Sequence, residues 1–287
     1  MTRAAIDIGT NSMRLLIVDE GGHDLVRLAR VTGLGRGVDA GRRLSDDAVA
    51  RTLAVFEEFR RHCDERSVGR VRAVATSATR DAGNRQEFLD AAESVLGVRP
   101  QVIPGEEEAR LSYVGATLGR TDDPIVVDIG GGSTEFVHAT AGRIVGVSVD
   151  IGSVRLTDRL LPHRPATYDE LEAASEHVDG LFASLELPTS RPVMGVAGTW
   201  TSLAAIRAGS PAAVHDAVLD RLTVDRLVAR LAAASVEETA SLPGLDPARA
   251  PVILAGAVIA REVMRALVAT SVTVSERDLL DGVVAGL

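Results

Sequence analysis

The chain has 287 residues, 46% hydrophobic and 25% charged, with a net charge of −9 and one cysteine, Cys63. That length holds two domains with sizeable cores, and the proportions are those of a soluble globular protein. A lone cysteine excludes an internal disulfide and fits a reducing compartment, and the longest apolar stretch, Pro251 to Ala260, is too short to span a bilayer. With no leader pattern at the N-terminus, a cytoplasmic location without membrane attachment is expected.

The elements follow in chain order. Strands are expected over 3–9, 13–19 and 24–31, then a helix over 45–66 that opens on Ser45 with Asp46 and Asp47, and a strand over 70–75. A helix from Asn84, with Glu87 three residues on, stops at Gly97. A strand over 100–103 and a helix over 106–118 lead to Thr121-Asp122-Asp123-Pro124, the boundary expected between lobes 1–120 and 121–287. The second half repeats the plan with strands over 124–129, 133–139 and 143–149, a helix from Gly152, and one capped by Thr167 with Glu170. Strand 192–196, helix 200–208, a helix from Thr223, a long helix from Asp246-Pro247 to about Ala269, strand 271–274 and a helix from Asp278 complete an α/β alternation.

Two copies of one strand–turn–strand unit carry the chemistry. Ala4-Ala5-Ile6-Asp7-Ile8-Gly9-Thr10-Asn11-Ser12 and Ile125-Val126-Val127-Asp128-Ile129-Gly130-Gly131-Gly132-Ser133-Thr134-Glu135 each bring a carboxylate to the end of an apolar strand, before a glycine turn. Backbone N–H groups of such a turn approach a phosphate closely, and Ser133 and Thr134 add hydroxyls. A P-loop is excluded, because the turn leads to a strand and the chain has no lysine. Asp128 and Glu135 would repel a phosphate unless a divalent cation lay between them, which implies Mg²⁺; the alternative is a glycine turn with incidental acids.

Other segments keep two readings. Glu106, Glu107 and Glu108 open a helix, where acids complement the helix dipole as readily as they serve catalysis. Arg80 suits bidentate contact with phosphate or a pairing with Asp81. Pro192 to Thr201 reads as a tight connection or a seat for a base. His62, His163, His177 and His215 show no metal spacing and read as solvated. The first 120 residues hold 18 Arg and 18 Asp plus Glu, the remainder 13 and 22, so no global field steers a polyanion. An anionic ligand needs local arginines, drawn from Arg27, Arg30, Arg36, Arg42, Arg43, Arg60, Arg61, Arg66, Arg70, Arg72 and Arg80; each alone also reads as a solvated surface residue.

Together these motifs, with Ala75-Thr-Ser-Ala-Thr-Arg-Asp-Ala, Gly105-Glu-Glu-Glu-Ala-Arg-Leu, Ile151-Gly-Ser-Val-Arg-Leu and Gly198-Thr, resemble the exopolyphosphatase and guanosine-pentaphosphate phosphohydrolase family, a branch of the actin, sugar-kinase and Hsp70 superfamily. The resemblance implies an α/β fold of two ribonuclease-H-like (actin-like ATPase) lobes with an interlobe active-site cleft. It implies Glu108 as catalytic base, Glu135 positioning water, and Asp128 with Glu135 on Mg²⁺, a monovalent cation such as K⁺ being left open. Phosphate would be held by Gly130, Gly131, Gly132, Ser133 and Arg80, with Asp7, Gly9, Thr10, Asn11 and Ser12 as the partner loop. The implied substrate is inorganic polyphosphate, in short chains because the extra helical domains of longer relatives are missing; no nucleic acid polymer or membrane is involved, and a homodimer is implied. Guanosine pentaphosphate presents the same terminal phosphoanhydride, and a sugar or acetate kinase or a silent sensor shares the fold. The sequence departs from the pattern at Thr10 and Pro104, where serine is frequent, and at Leu280, where Leu279-Leu280-Asp281-Gly282 lacks the family's arginine and its phosphate contact.

Overall fold

β1 (Arg3–Ile8), β2 (Ser12–Val18) and β3 (Asp24–Val31) form an antiparallel meander in the computed structural model, which describes residues 1–212 and 214–287. The chain continues through α1 (Val38–Gly41), α2 (Asp46–Glu65), β4 (Arg70–Ala75), α3 (Ser77–Asp81), α4 (Arg85–Leu96), β5 (Gln101–Val102) and α5 (Gly105–Ala116). β4 pairs parallel with β1 and β5 parallel with β4, giving the order β3-β2-β1-β4-β5. Helices cover both faces, so β1 is apolar on both: Ile6 and Ile8 pack with Phe56, Phe59 and Phe88, while Ala5 packs with Leu16, Val74 and Leu111.

The next stretch repeats that plan. It runs β6 (Ile125–Ile129), β7 (Thr134–Thr140), β8 (Arg143–Val149), α6 (Ser153–Leu160), α7 (Tyr168–Phe182), β9 (Val193–Val196), α8 (Ala197–Ala208), β10 (Val218–Asp220), α9 (Arg221–Ala233), α10 (Val236–Ala240), a 3₁₀ turn Pro247–Arg249, α11 (Ile253–Ala266) and β11 (Ser271–Val274), with α12 (Leu279–Ala285) closing the chain. The sheet order is β10-β11-β9-β6-β7-β8. β6, β7 and β8 form the meander, β9 and β11 the parallel extension, and β10 adds an antiparallel edge. Both sheets therefore have ribonuclease-H-like strand order, as expected from the duplicated hairpin.

By contacts the chain divides into residues 1–115 with 277–287, and residues 116–276. This differs from a boundary at 121 and a second lobe running to 287. The reason is apolar. Leu279, Leu280, Val283 and Val284 on α12 join Ala5, Leu16, Val18, Val74, Ile103 and Leu111 in one buried cluster of the first unit. Leu280, where the family pattern has arginine, is 2% exposed within it. A Cβ at Gly282 would lie 2.0 Å from the Leu111 carbonyl oxygen, so α12 meets α5 backbone to backbone. Gly282→Ala is expected to destabilise the protein by about 1–3 kcal/mol, the usual cost of overpacking, read as a lower denaturation midpoint.

Several element bounds differ from expectation. The long helix over 246–269 is interrupted: Asp246 caps the 3₁₀ turn through the Ala248 N–H at 3.0 Å, and α11 starts only at Ile253. Pro251 lacks the N–H that would bond back to the Pro247 carbonyl, so the turn does not run on into α11, although Ala250 itself is helical in φ and ψ. Asn84 does not cap α4 with its side chain; its amide bonds both Leu44 N (2.9 Å) and Leu44 O (3.1 Å), fastening a distant loop. α9 begins at Arg221 because Asp220, not Thr223, is its cap. The Thr167–Glu170 capping box and the left-handed Gly97 that ends α4 are as expected. Among the described residues no helix is long and apolar enough to cross a membrane.

Candidate active site

The first turn follows β1. Gly9 N donates to Ser12 O at 3.2 Å, closing the hairpin. Carbonyls of the turn are tied to one side: Thr10 O accepts from Gly35 N at 2.7 Å, and Asn11 O from Thr32 N and Gly33 N, both at 3.0 Å. The Thr10 and Asn11 N–H groups have no acceptor among the described residues. Asp7 Oδ1, Asn11 Oδ1 and Ser12 Oγ are buried and likewise without a hydrogen-bond partner there. The Thr10 hydroxyl accepts the Ala78 N–H at 3.2 Å, which joins the turn to α3 and leaves its own proton to donate.

Register explains what holds Asp7. It stands opposite Arg14 on β2, and Arg14 Nε donates to Asp7 Oδ2 at 2.8 Å. Arg14 also donates to Asp278, which accepts the Leu280 N–H at 3.1 Å at the start of α12. Asp281, three residues on, bonds the Asp278 N–H at 3.0 Å and grips Arg27 with both oxygens, at 2.7 and 3.1 Å. Burial pushes the Asp7 carboxyl above the usual aspartate range, against the opposing pull of Arg14.

The second turn has the same build in a barer form. Gly130 N donates to Ser133 O at 3.0 Å. The N-terminal turn of α6 then takes every glycine carbonyl: Ser153 N bonds Gly130 O at 3.0 Å, Val154 N bonds Gly131 O at 2.8 Å, and the buried Arg155 Nε bonds Gly132 O at 2.8 Å. With the carbonyls turned that way, the consecutive N–H groups of Gly131, Gly132 and Ser133 have no acceptor among the described residues. Consecutive N–H groups left in this way can donate to an anion. None of Gly9, Gly130, Gly131 or Gly132 has a positive φ; what they supply is space. Gly152 is needed for another reason, since a Cβ there would lie 2.4 Å from the Gly131 carbonyl carbon.

Asp128 and Glu135 face each other across β6 and β7 at one register pair, 6% and 1% exposed. The first copy puts Arg14 at the place of Glu135. Ser148 on β8 donates to Glu135 Oε1 at 2.7 Å and fixes that side chain. Two facing carboxylates suit a divalent cation that keeps water and phosphate oxygens as its remaining ligands. Among the described residues no group of three or more His, Cys, Asp or Glu is arranged to hold a metal, so such an ion would complete its shell with water or substrate oxygens.

Arg80 and Glu108 are brought together in the first unit. Arg80 NH1 donates to Glu108 Oε2 at 3.1 Å and to Ile103 O at 2.8 Å. Glu108 is 9% exposed, Glu107 is engaged by Arg110, and Glu106 is exposed. Of the three acids, only Glu108 turns toward the helix that is tied to the Thr10 turn. The Asp81 pairing considered for Arg80 is therefore replaced by Glu108.

Other expectations resolve simply. The segment 192–201 is the β9–α8 crossover, with Arg249 NH1 lying 2.0 Å from where a Gly198 Cβ would be. Of the histidines, His163 and His215 are exposed, but His62 and His177 are half-buried, correcting the solvated reading for those two. Sequence reading gave no role to Arg14, Asp278, Ser148 or Arg155. Arg155 sits in the Ile151-Gly-Ser-Val-Arg-Leu motif and was the one with a signal.

Two units of ribonuclease-H-like strand order, each bringing a carboxylate and a turn of N–H groups without an acceptor among the described residues to the end of its first strand, define a duplicated ribonuclease-H-like fold. The Ppx/GppA phosphatase family model matches residues 16–287, and the chain belongs to that family. It is 38% identical to exopolyphosphatase 2 of Mycobacterium tuberculosis, over 99% of this chain and 98% of the relative. Among solved structures, an exopolyphosphatase-like protein superposes with a TM-score of 0.93 at 35% identity, covering 99% of this chain and 98% of the other. An exopolyphosphatase from Cytophaga hutchinsonii gives 0.90 at 28% identity, covering 99% and 97%.

Proposed function

We propose that this chain is an exopolyphosphatase, hydrolysing the terminal phosphoanhydride of inorganic polyphosphate, short chains included, to release orthophosphate. The observation that carries the reading is the run of unsatisfied N–H groups at Gly131, Gly132 and Ser133 beside the Asp128–Glu135 register pair. It is supported by the family membership and by the names of the full-length relatives.

In this reading the Gly131–Ser133 N–H groups donate to the phosphate oxygens, and Arg80 and the Thr10–Asn11 turn add donors. Asp128 and Glu135 would hold Mg²⁺, whose chemistry when bound is neutralisation of phosphate charge; K⁺ is the candidate for a second ion. Glu108 takes a proton from water as the water oxygen bonds to the terminal phosphorus. The bridging P–O bond breaks and its electron pair leaves with the shortened chain. Because phosphoryl transfer passes through a loose transition state, positioning contributes more than base strength. The contact from Arg80 to Glu108 Oε2 is that kind of positioning. The reading includes a homodimer in the cytoplasm.

The test is orthophosphate release with Mg²⁺ from tripolyphosphate, long-chain polyphosphate, guanosine pentaphosphate and ATP. Release from the polyphosphates at a kcat/KM above that of both nucleotides is expected. A preference for guanosine pentaphosphate would replace the polyphosphatase reading, and tight binding without release would indicate a sensor.

A further inference from the structure

Most arginines of the first unit are engaged by carboxylates. Arg14 holds Asp7, Arg27 holds Asp281, Arg30 holds Glu58, Arg60 holds Asp64 and Arg99 holds Glu93. Arg36, Arg42 and Arg85 differ. All three are exposed, and none has an ion-pair partner among the described residues. The chain carries a net charge of −9, yet these three exposed cations have no carboxylate partner among the described residues.

Their placement is what distinguishes them. Arg36 follows the segment whose Gly35 N–H bonds Thr10 O at 2.7 Å, and its side chain folds back so that Nε lies 3.0 Å from where a Gly33 Cβ would be. Arg42, held at a left-handed φ of 49°, accepts the Gly83 N–H on its carbonyl at 2.7 Å. Arg85 reaches the Arg80 carbonyl with NH1 at 3.2 Å. Every one thus hangs on backbone fastened either to the Thr10–Asn11 turn or to the α3–α4 corner that carries Arg80. The acids on the same segments are Asp39, Asp81 and Glu87; Glu87 lies 4.0 Å from Arg43. Exposed cations on segments fastened in this way attract a polyanion that lies across them.

We propose that Arg36, Arg42 and Arg85 form a binding track for the phosphates behind the terminal one, and so set the enzyme's affinity for long chains. The inference rests on the polyphosphatase reading and adds the subsite that distinguishes a long polyanion from a short one. Arginine suits the task, since its planar fork contacts phosphate oxygens through paired N–H groups and stays charged. Arg61 is the built-in comparison: it too is exposed without an ion-pair partner among the described residues, but it lies on α2 with no hydrogen bond to either fastened segment.

The experiment compares wild type, the triple variant R36Q/R42Q/R85Q, the charge-keeping R36K/R42K/R85K and the control R61Q. KM and kcat are measured on tripolyphosphate and on long-chain polyphosphate at several salt concentrations. For the glutamine triple, KM for the long chain is expected to rise roughly tenfold, and its salt dependence to flatten, as when phosphate-neutralising cations are removed. Its kcat and its tripolyphosphate kinetics should stay within about twofold, which also reports an intact fold. The lysine triple should recover most of the affinity, and R61Q should match wild type. An unchanged long-chain KM in the glutamine triple, an equal rise in R61Q, or no recovery with lysine would each overturn the track while leaving the polyphosphatase reading in place. A wild type that releases phosphate from neither polyphosphate overturns that reading, and this inference with it.

Discussion

Glu108→Gln is expected to slow phosphate release by about 10²–10⁴-fold, the range for loss of a general base, with little change in KM. The competing account of this acid is structural, since a glutamate in the first turn of α5 favours the helix dipole by a few tenths to about 1 kcal/mol. The three acids separate the accounts. Glu106 is exposed and serves the dipole equally well. Glu107 is gripped by Arg110 at 2.8 and 2.9 Å, which holds its carboxyl below the usual glutamate range. Glu108 alone is buried and fixed by Arg80 from another helix. A structural role would make Glu106→Gln and Glu108→Gln alike: a slightly lower melting temperature and near-normal turnover for both. A catalytic role makes them differ by orders of magnitude in kcat at similar stability.

Asp128→Asn is expected to lower the rate by about 10²–10³-fold, comparable to losing one preorganised electrostatic group in an active site, and to remove most of the stabilisation expected from Mg²⁺ in the wild type. A ligand that binds only the folded chain at about a hundred times its Kd contributes ~2.7 kcal/mol, so the wild-type melting temperature should climb with Mg²⁺ concentration. The two hairpins explain why the effect belongs to the second copy. In the first, Asp7 faces Arg14 and its charge is met inside the protein. In the second, a carboxylate faces a carboxylate, an arrangement unfavourable by itself and suited to a cation. A variant that keeps the full Mg²⁺-dependent rise in melting temperature would place the ion elsewhere.

Much of this was legible in the sequence because it is local. A strand ending in Asp-Ile-Gly, the return strand after the turn, the Thr167–Glu170 box and the Gly97 stop each depend on a few consecutive residues, and each appears where the pattern put it. What escaped is set by pairing across the chain. Nothing near Asp278 says that it meets Arg14, 264 positions away, or that Leu280 goes into an apolar cluster beneath β1. Pro251 is a local signal for the break before α11, in an apolar run whose length favours one long helix. Arg80 offered two partners by chemistry, and only the position of α5 decides for Glu108. The glycine triplet was legible as a tight turn between two strands; that its carbonyls are drawn off by the start of α6 was not, although Arg155 lies in the motif that does it.

The most direct test of the central claim is phosphorus NMR of long-chain polyphosphate incubated with the protein and Mg²⁺. Orthophosphate should appear from the first time point while the ratio of end to middle phosphate rises only slowly, as chains shorten one unit at a time from their ends. No orthophosphate, or a rapid gain of end groups as chains are cut internally, would contradict it.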